Sequence, residues 1–199
     1  MKLRRFVPAL AAVALAGCSL SGLLGGGSAK GPTMLATLTP EAPDPGAIAR
    51  SAASGQAVTI ELPVISNELH TVRVPVQISP TDVQYVTGLQ WADTPDRLFQ
   101  NLVEETVRRT TSRVVLNPNQ TGLDPGIVLH GELERFGYDA ATGQVVVAYN
   151  GSLAAADGTV QTRRFVATAP ADGTGATVGP ALNRAANQVA REVAQWIGG

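Results

Sequence analysis

The chain has 199 residues, 44% hydrophobic and 16% charged, with 15 Lys+Arg against 16 Asp+Glu and a single cysteine. One cysteine excludes an internal disulfide, CxxC redox chemistry and multi-cysteine zinc sites. The longest apolar run, Val7 to Gly17, is about half of the roughly 20 residues that span a bilayer, which excludes a channel or permease; no basic cluster follows the first five residues, so a nucleic-acid footprint is absent.

Lys2, Arg4 and Arg5 precede an apolar stretch from Phe6 to Leu15, which Leu15-Ala16-Gly17-Cys18 closes. This is the layout of a secretory signal peptide over residues 1–17. Its small residues run straight into the only cysteine, which makes the junction a bacterial lipobox. Such a junction predicts a thioether-linked diacylglycerol on Cys18, cleavage between Gly17 and Cys18, and acylation of the new amine. At about 0.8 kcal/mol per buried CH₂, three acyl chains exceed the two signals that stable anchoring needs. Ser19, in place of an aspartate, favours the outer membrane in a Gram-negative cell. Loss of Lys2, Arg4 and Arg5 takes the net charge from −1 to −4, which argues against anionic polymers as ligands. Cys18 and the Gly- and Ser-rich residues 19–32 then form a lipidated start and a flexible tether with a reach on the order of 20 Å. Residues 33–199 read as a single domain.

Within that domain, Met34 to Leu38 is a short first strand and Glu41 to Gln56 a loop. Ala57 to Leu62 and Val72 to Ile78 alternate with period two, as strands do. Pro75 in the second of them predicts a sheet edge. Val83 to Trp91 reads as a pair of short strands broken at Gly88. Thr94 and Pro95 supply an N-cap and first helical position, and Leu98, Phe99, Leu102, Val103 and Val107 form the stripe of a helix. Glu104 with Arg108 and Glu105 with Arg109 are i,i+4 pairs on its wet side. Ile127 to Phe136, Val145 to Ala155 and Val160 to Thr168 form a meander, with turns at Asp139 to Gly143 and Asp157-Gly158. Pro180 opens a last helix with the stripe Leu182, Ala186, Val189, Val193, Trp196 and Ile197. The order of elements predicts an α+β fold, an α/β sandwich in which two main helices cover a mixed, largely antiparallel sheet.

The candidate chemistry is sparse. His130, Glu132 and Glu134 project from one face of a strand, as metal ligands can; the opposite face carries Ile127, Leu129 and Leu133, which makes the polar trio the solvent side of a half-buried strand. His70 sits apart in a loop-like stretch, so no metal site is expected. Gly173 to Gly179 has the wrong spacing for a dinucleotide fingerprint and reads as a flexible loop. Gly25 to Gly31 lacks the Walker spacing. With no G-x-S-x-G elbow, and with Cys18 taken up by lipid, neither a catalytic residue nor a cofactor is expected. Asn150-Gly151-Ser152 reads as a kink or bulge in its strand. Trp91 and Trp196 have two readings, core packing and partial exposure at a partner groove.

Behind the lipobox follow, in chain order, the early Leu38-Thr39-Pro40, Leu89-Gln90-Trp91-Ala92-Asp93-Thr94-Pro95 leading into Leu98 and Leu102, Leu133 to Phe136, Arg164-Phe165, and Ala181-Leu182-Asn183 through Trp196-Ile197. In this the chain resembles the ABC-type transport auxiliary lipoproteins (PqiC/YmbA-like). The resemblance implies an outer-membrane lipoprotein, not an enzyme. It implies service to a transporter built from an ABC permease, an ATPase and an MCE-domain protein, which moves lipids between the inner and outer membranes, and it allows a homo-oligomer. Trp91, Pro95, Phe136 and Trp196 are the motif residues that become candidates for structural or partner-docking roles. Two other functions fit the same residues: an outer-membrane assembly or envelope-integrity lipoprotein that docks a barrel partner, and a periplasmic hydrolase using the His130 face.

Overall fold

The computed structural model describes residues 34–123 and 126–198. Nine strands form one mixed sheet: β1 (Met34–Ala36), β2 (Val58–Ile60), β3 (Val64–Ile65), β4 (Arg73–Gln77), β5 (Val83–Trp91), β6 (Val115–Leu116), β7 (Ile127–Asp139), β8 (Gln144–Ala154) and β9 (Val160–Pro170). Two helices, α1 (Pro95–Thr110) and α2 (Gly175–Gly198), complete an α+β fold.

The organising element is β7. Along one edge it pairs antiparallel with the whole of β8, which in turn pairs with the whole of β9. Along the other edge it meets three short strands end to end, all parallel to it: β2 beside Ile127–Leu129, β3 beside Glu132 and Leu133, and β4 beside Tyr138 and Asp139. The segment from Val58 to Gln77 therefore travels beside β7 in the same direction. Its pairing breaks at Pro63, which has no N–H to give, and at the single 3₁₀ turn of Asn67–Leu69. β5 and β1 extend the sheet beyond β4.

The alternation read from the sequence places Leu129 and Leu133 on the helix-covered side of β7, each fully buried. A bulge between Leu133 and Arg135 adds one residue there, so that Phe136, not Arg135, turns inward. This is where the irregularity lies; Asn150, Gly151 and Ser152 stay in unbroken register with β9. Phe136 packs on Trp91 with ring centroids 5.4 Å apart. A second aromatic series runs from Phe99 of α1 to Tyr149 (5.1 Å), Phe165 (6.4 Å) and Trp196 of α2 (5.5 Å), which ties both helices to one face of β8 and β9.

Three other local expectations change. Pro75 does not mark a sheet edge, because β4 lies between β5 and β7; the register shifts between Arg73 and Pro75, and an irregular position is where a strand tolerates the missing donor. Val83 to Trp91 is one strand, with Gly88 at φ +74° inside it in place of a break. The glycine-rich stretch is no loop beyond Thr174: α2 already begins at Gly175 and Pro180 lies inside it. The glycine is required by close approach, since a Cβ on Gly175 would stand 3.1 Å from Leu89 Cβ. The start of α2 thus rests directly on β5.

Candidate functional site

The predicted stripe of α1 is present, and Thr94 stands at the N-cap position without a capping bond from its side chain. Thr94 precedes Pro95, and Leu98, Phe99, Leu102, Val103 and Val107 are buried. Arg108 binds Glu104 and Arg109 binds Glu105, each at 2.8 Å. Glu104 is itself buried, however, and does not lie on a wet side. It lines a groove with Leu38 and Pro40, where an extended strap crosses the helices.

The strap, Thr39 to Ala42, is held almost entirely by side chains reading its backbone. Asn187 of α2 donates through Nδ2 to the Thr39 carbonyl at 2.9 Å, and its Oδ1 accepts the Glu41 N–H at 2.8 Å. One turn earlier, Asn183 Oδ1 accepts the Thr39 N–H at 2.8 Å. Arg109 donates to the Ala42 carbonyl at 2.8 Å, and Arg191 pairs with Glu41 at 3.1 Å. An extended segment has no ladder of its own here, and these side chains supply the partners of its backbone polar groups. Sequence reasoning missed this clamp. The available signal was Asn187 itself, a polar residue at i+4 from Asn183 within the Ala- and Val-rich stripe of α2, where a buried amide demands a partner.

Of the residues singled out from the sequence, Trp91 and Phe136 are 1% exposed and Pro95 is buried, so the structure places all three inside the fold. Trp91 Nε1 has no hydrogen-bond partner among the described residues. Trp196 differs. It is half-buried, donates from Nε1 to Gln161 Oε1 at 3.3 Å, and lines a recess of about 390 Å³ with Ile127, Leu153 and Ile197. Gly17 and Cys18 lie outside the described residues.

The His130 face holds a polar network. Glu134, in the bulge, accepts from Asn150 Nδ2 at 2.6 Å and from Arg164 at 2.9 Å, which links β7, β8 and β9 across the uncovered side of the sheet. His130 and Glu132 are exposed beside it, and His70 instead contacts the Ile65 carbonyl at 3.3 Å. Among the described residues no three His, Cys, Asp or Glu side chains group as a metal site. At the far end of β7, Arg135 pairs with Asp139 at 3.1 Å and holds that carboxyl below its ordinary pKa. Burial raises the Tyr149 phenol, whose hydroxyl donates to the His130 carbonyl at 3.3 Å. These are interactions that brace strands. Chemically, the arrangement offers surfaces for contact.

Among the described residues no helix is long and apolar enough to cross a membrane. A crystal structure of a Xanthomonas campestris protein of family DUF330 shares the fold, with a TM-score of 0.64 at 21% identity over 84% of this chain and 92% of that one. An uncharacterized protein of known structure is also similar, with a TM-score of 0.58 at 16% identity over 75% of this chain and 96% of that one. Comparison with curated proteins gave no match. Residues 37–194 match the family described as the ABC-type transport auxiliary lipoprotein component, and the chain belongs to that family.

Proposed function

We propose that the protein is an outer-membrane lipoprotein facing the periplasm, and that it is the auxiliary component of an ABC/MCE-type transporter that moves lipids between the inner and outer membranes. The observation that carries this reading is the lipobox ending at Cys18, ahead of a domain of the auxiliary family. In this mechanism the acyl chains on Cys18 hold the chain at the inner leaflet, and residues 19–32 give it reach. The folded domain docks an MCE-domain protein whose permease and ATPase sit in the other membrane. Its contribution is geometric: tethering raises the effective concentration of one membrane's machinery at the other.

Crosslinking in intact envelopes, followed by affinity purification and mass spectrometry, tests this with the wild type and a Cys18→Ala variant. The wild type is expected to recover an MCE-domain protein, with lower yield when the anchor is lost. Recovery of a barrel-assembly protein with no MCE protein would replace this function with an envelope-assembly role.

A further inference from the structure

The strand β9 pairs only with β8, and its outer edge bonds to no other strand among the described residues. It is 11 residues long and stays in register with β8 from Val160 to Pro170, with no bulge and no proline before its last residue. Proteins usually shorten, bulge or cover such an edge, because its free N–H and C=O groups template a further strand. Here Val160 is 63% and Val166 42% exposed.

The charge on this edge runs against that of the domain. Residues 34–199 hold 11 Lys+Arg against 16 Asp+Glu, yet β9 has Arg163 and Arg164 and no acidic residue. Arg164 is engaged by Glu134. Arg163 is exposed, lies 5.0 Å over the Phe165 ring, and has no ion-pair partner among the described residues. Two positions before it on the same side of the strand, Gln161 lines the Trp196 recess with Leu153 and Ile197.

From the open edge, the uncompensated cation and the adjoining recess, we propose that β9 is a docking edge for an extended, acidic segment of another protein. The segment adds to the sheet as a further strand. Main-chain bonds to β9 supply affinity, an acidic side chain meets Arg163, and an apolar one enters the Trp196 recess. This surface does not depend on which component of a transporter supplies the segment.

The test uses the full lipidated chain in detergent and a synthetic 11-residue peptide matched to the length of β9, with glutamate and valine alternating along one face of the strand and threonine at every position of the other. Binding is read by fluorescence anisotropy, and hydrogen exchange is followed over residues 160–170. The glutamate peptide is expected to bind saturably and slow exchange of alternate β9 amides, while its lysine counterpart binds at least about tenfold more weakly. Arg163→Glu, which disturbs no ion pair, should reverse that preference with an unchanged circular dichroism spectrum. Two further glutamate peptides, N-methylated in the two alternating registers, keep the charge but can each pair along only one edge. One of them should lose binding and the other retain it. Equal binding of both, absence of β9 protection, or β9 amides already protected in self-associated protein without peptide would each overturn the proposal.

Discussion

Asn187 holds Thr39 across 148 positions of sequence, with its Nδ2 2.9 Å from the Thr39 carbonyl and the asparagine itself 1% exposed. The same amide also accepts from Glu41 and donates to the Asn183 carbonyl. Replacing Asn187 with leucine, similar in size, leaves Thr39 and Glu41 backbone groups without partners. Thr39 and Glu41 are themselves exposed, so each lost bond is worth about 0.5–1.5 kcal/mol, the net value of an ordinary hydrogen bond. The midpoint of urea unfolding should fall accordingly, and the Glu41 amide, whose acceptor is lost, should exchange faster than the Thr39 amide, which Asn183 still holds. Unchanged exchange at Glu41 would show that the strap is held without Asn187.

Gly131 faces Tyr149 so closely that a Cβ would stand 2.3 Å from the tyrosine Oη and 2.4 Å from the Asn150 carbonyl oxygen. Gly131→Ala must therefore push β7 and β8 apart, at a cost of about 1–3 kcal/mol or more. Adding Tyr149→Phe should recover only part of that loss, since the Asn150 backbone remains in the way. Thermal unfolding of the single and double variants measures both.

Phe136→Ala and Glu134→Gln separate packing from surface charge at neighbouring positions. Removing the buried ring, which packs on Trp91, should cost about 3–5 kcal/mol. Glu134 pairs with a largely exposed Arg164, and a pair of that kind contributes about 0–1 kcal/mol. Chemical denaturation should rank the two changes in that order.

Asp172 governs a pH response at the start of α2. Thr177 and Thr174 donate to its carboxylate and lower its pKa from 3.8 to about 2. A depressed carboxyl stabilises the fold above its ordinary pKa, and that contribution is lost as pH falls through the folded value. Protection of the Thr174 and Thr177 amides, measured relative to their intrinsic exchange rate at each pH, should therefore fall between pH 4 and pH 2 in the wild type. In Asp172→Asn that protection should already be low at pH 6, with no step in that window.

Much of this architecture is legible in the residues. Period-two alternation marks β7, β8 and β9, and a wide apolar stripe marks both helices, because each element buries one face against the same core. The misreadings share a cause: they concern backbone geometry that only tertiary contact decides. Gly175 reads as a loop residue until Leu89 is seen resting against it. Pro75 reads as an edge until a register shift accommodates it. The strap was invisible because its partners, Asn183 and Asn187, lie at the other end of the chain. Of the candidate docking residues, Trp91 and Phe136 are buried against each other; Trp196 alone among the four reaches a recess, and no local pattern distinguishes it from the rest.

The three short strands along one edge of β7 also set an order of events. Among the described residues β3 has no partner other than β7, and β2 pairs only with β7 and β6. A chain emerging from its amino end thus presents β3 unpaired until residue 133 has been delivered, more than 60 positions later. Contacts of such sequence separation form slowly, and unpaired strands are the surfaces on which chains aggregate. The first half of this protein is therefore the part that needs shielding during its biogenesis, and a fragment ending before β7 should leave β3 unpaired and the β1-β5-β4 and β2-β6 pairings unjoined.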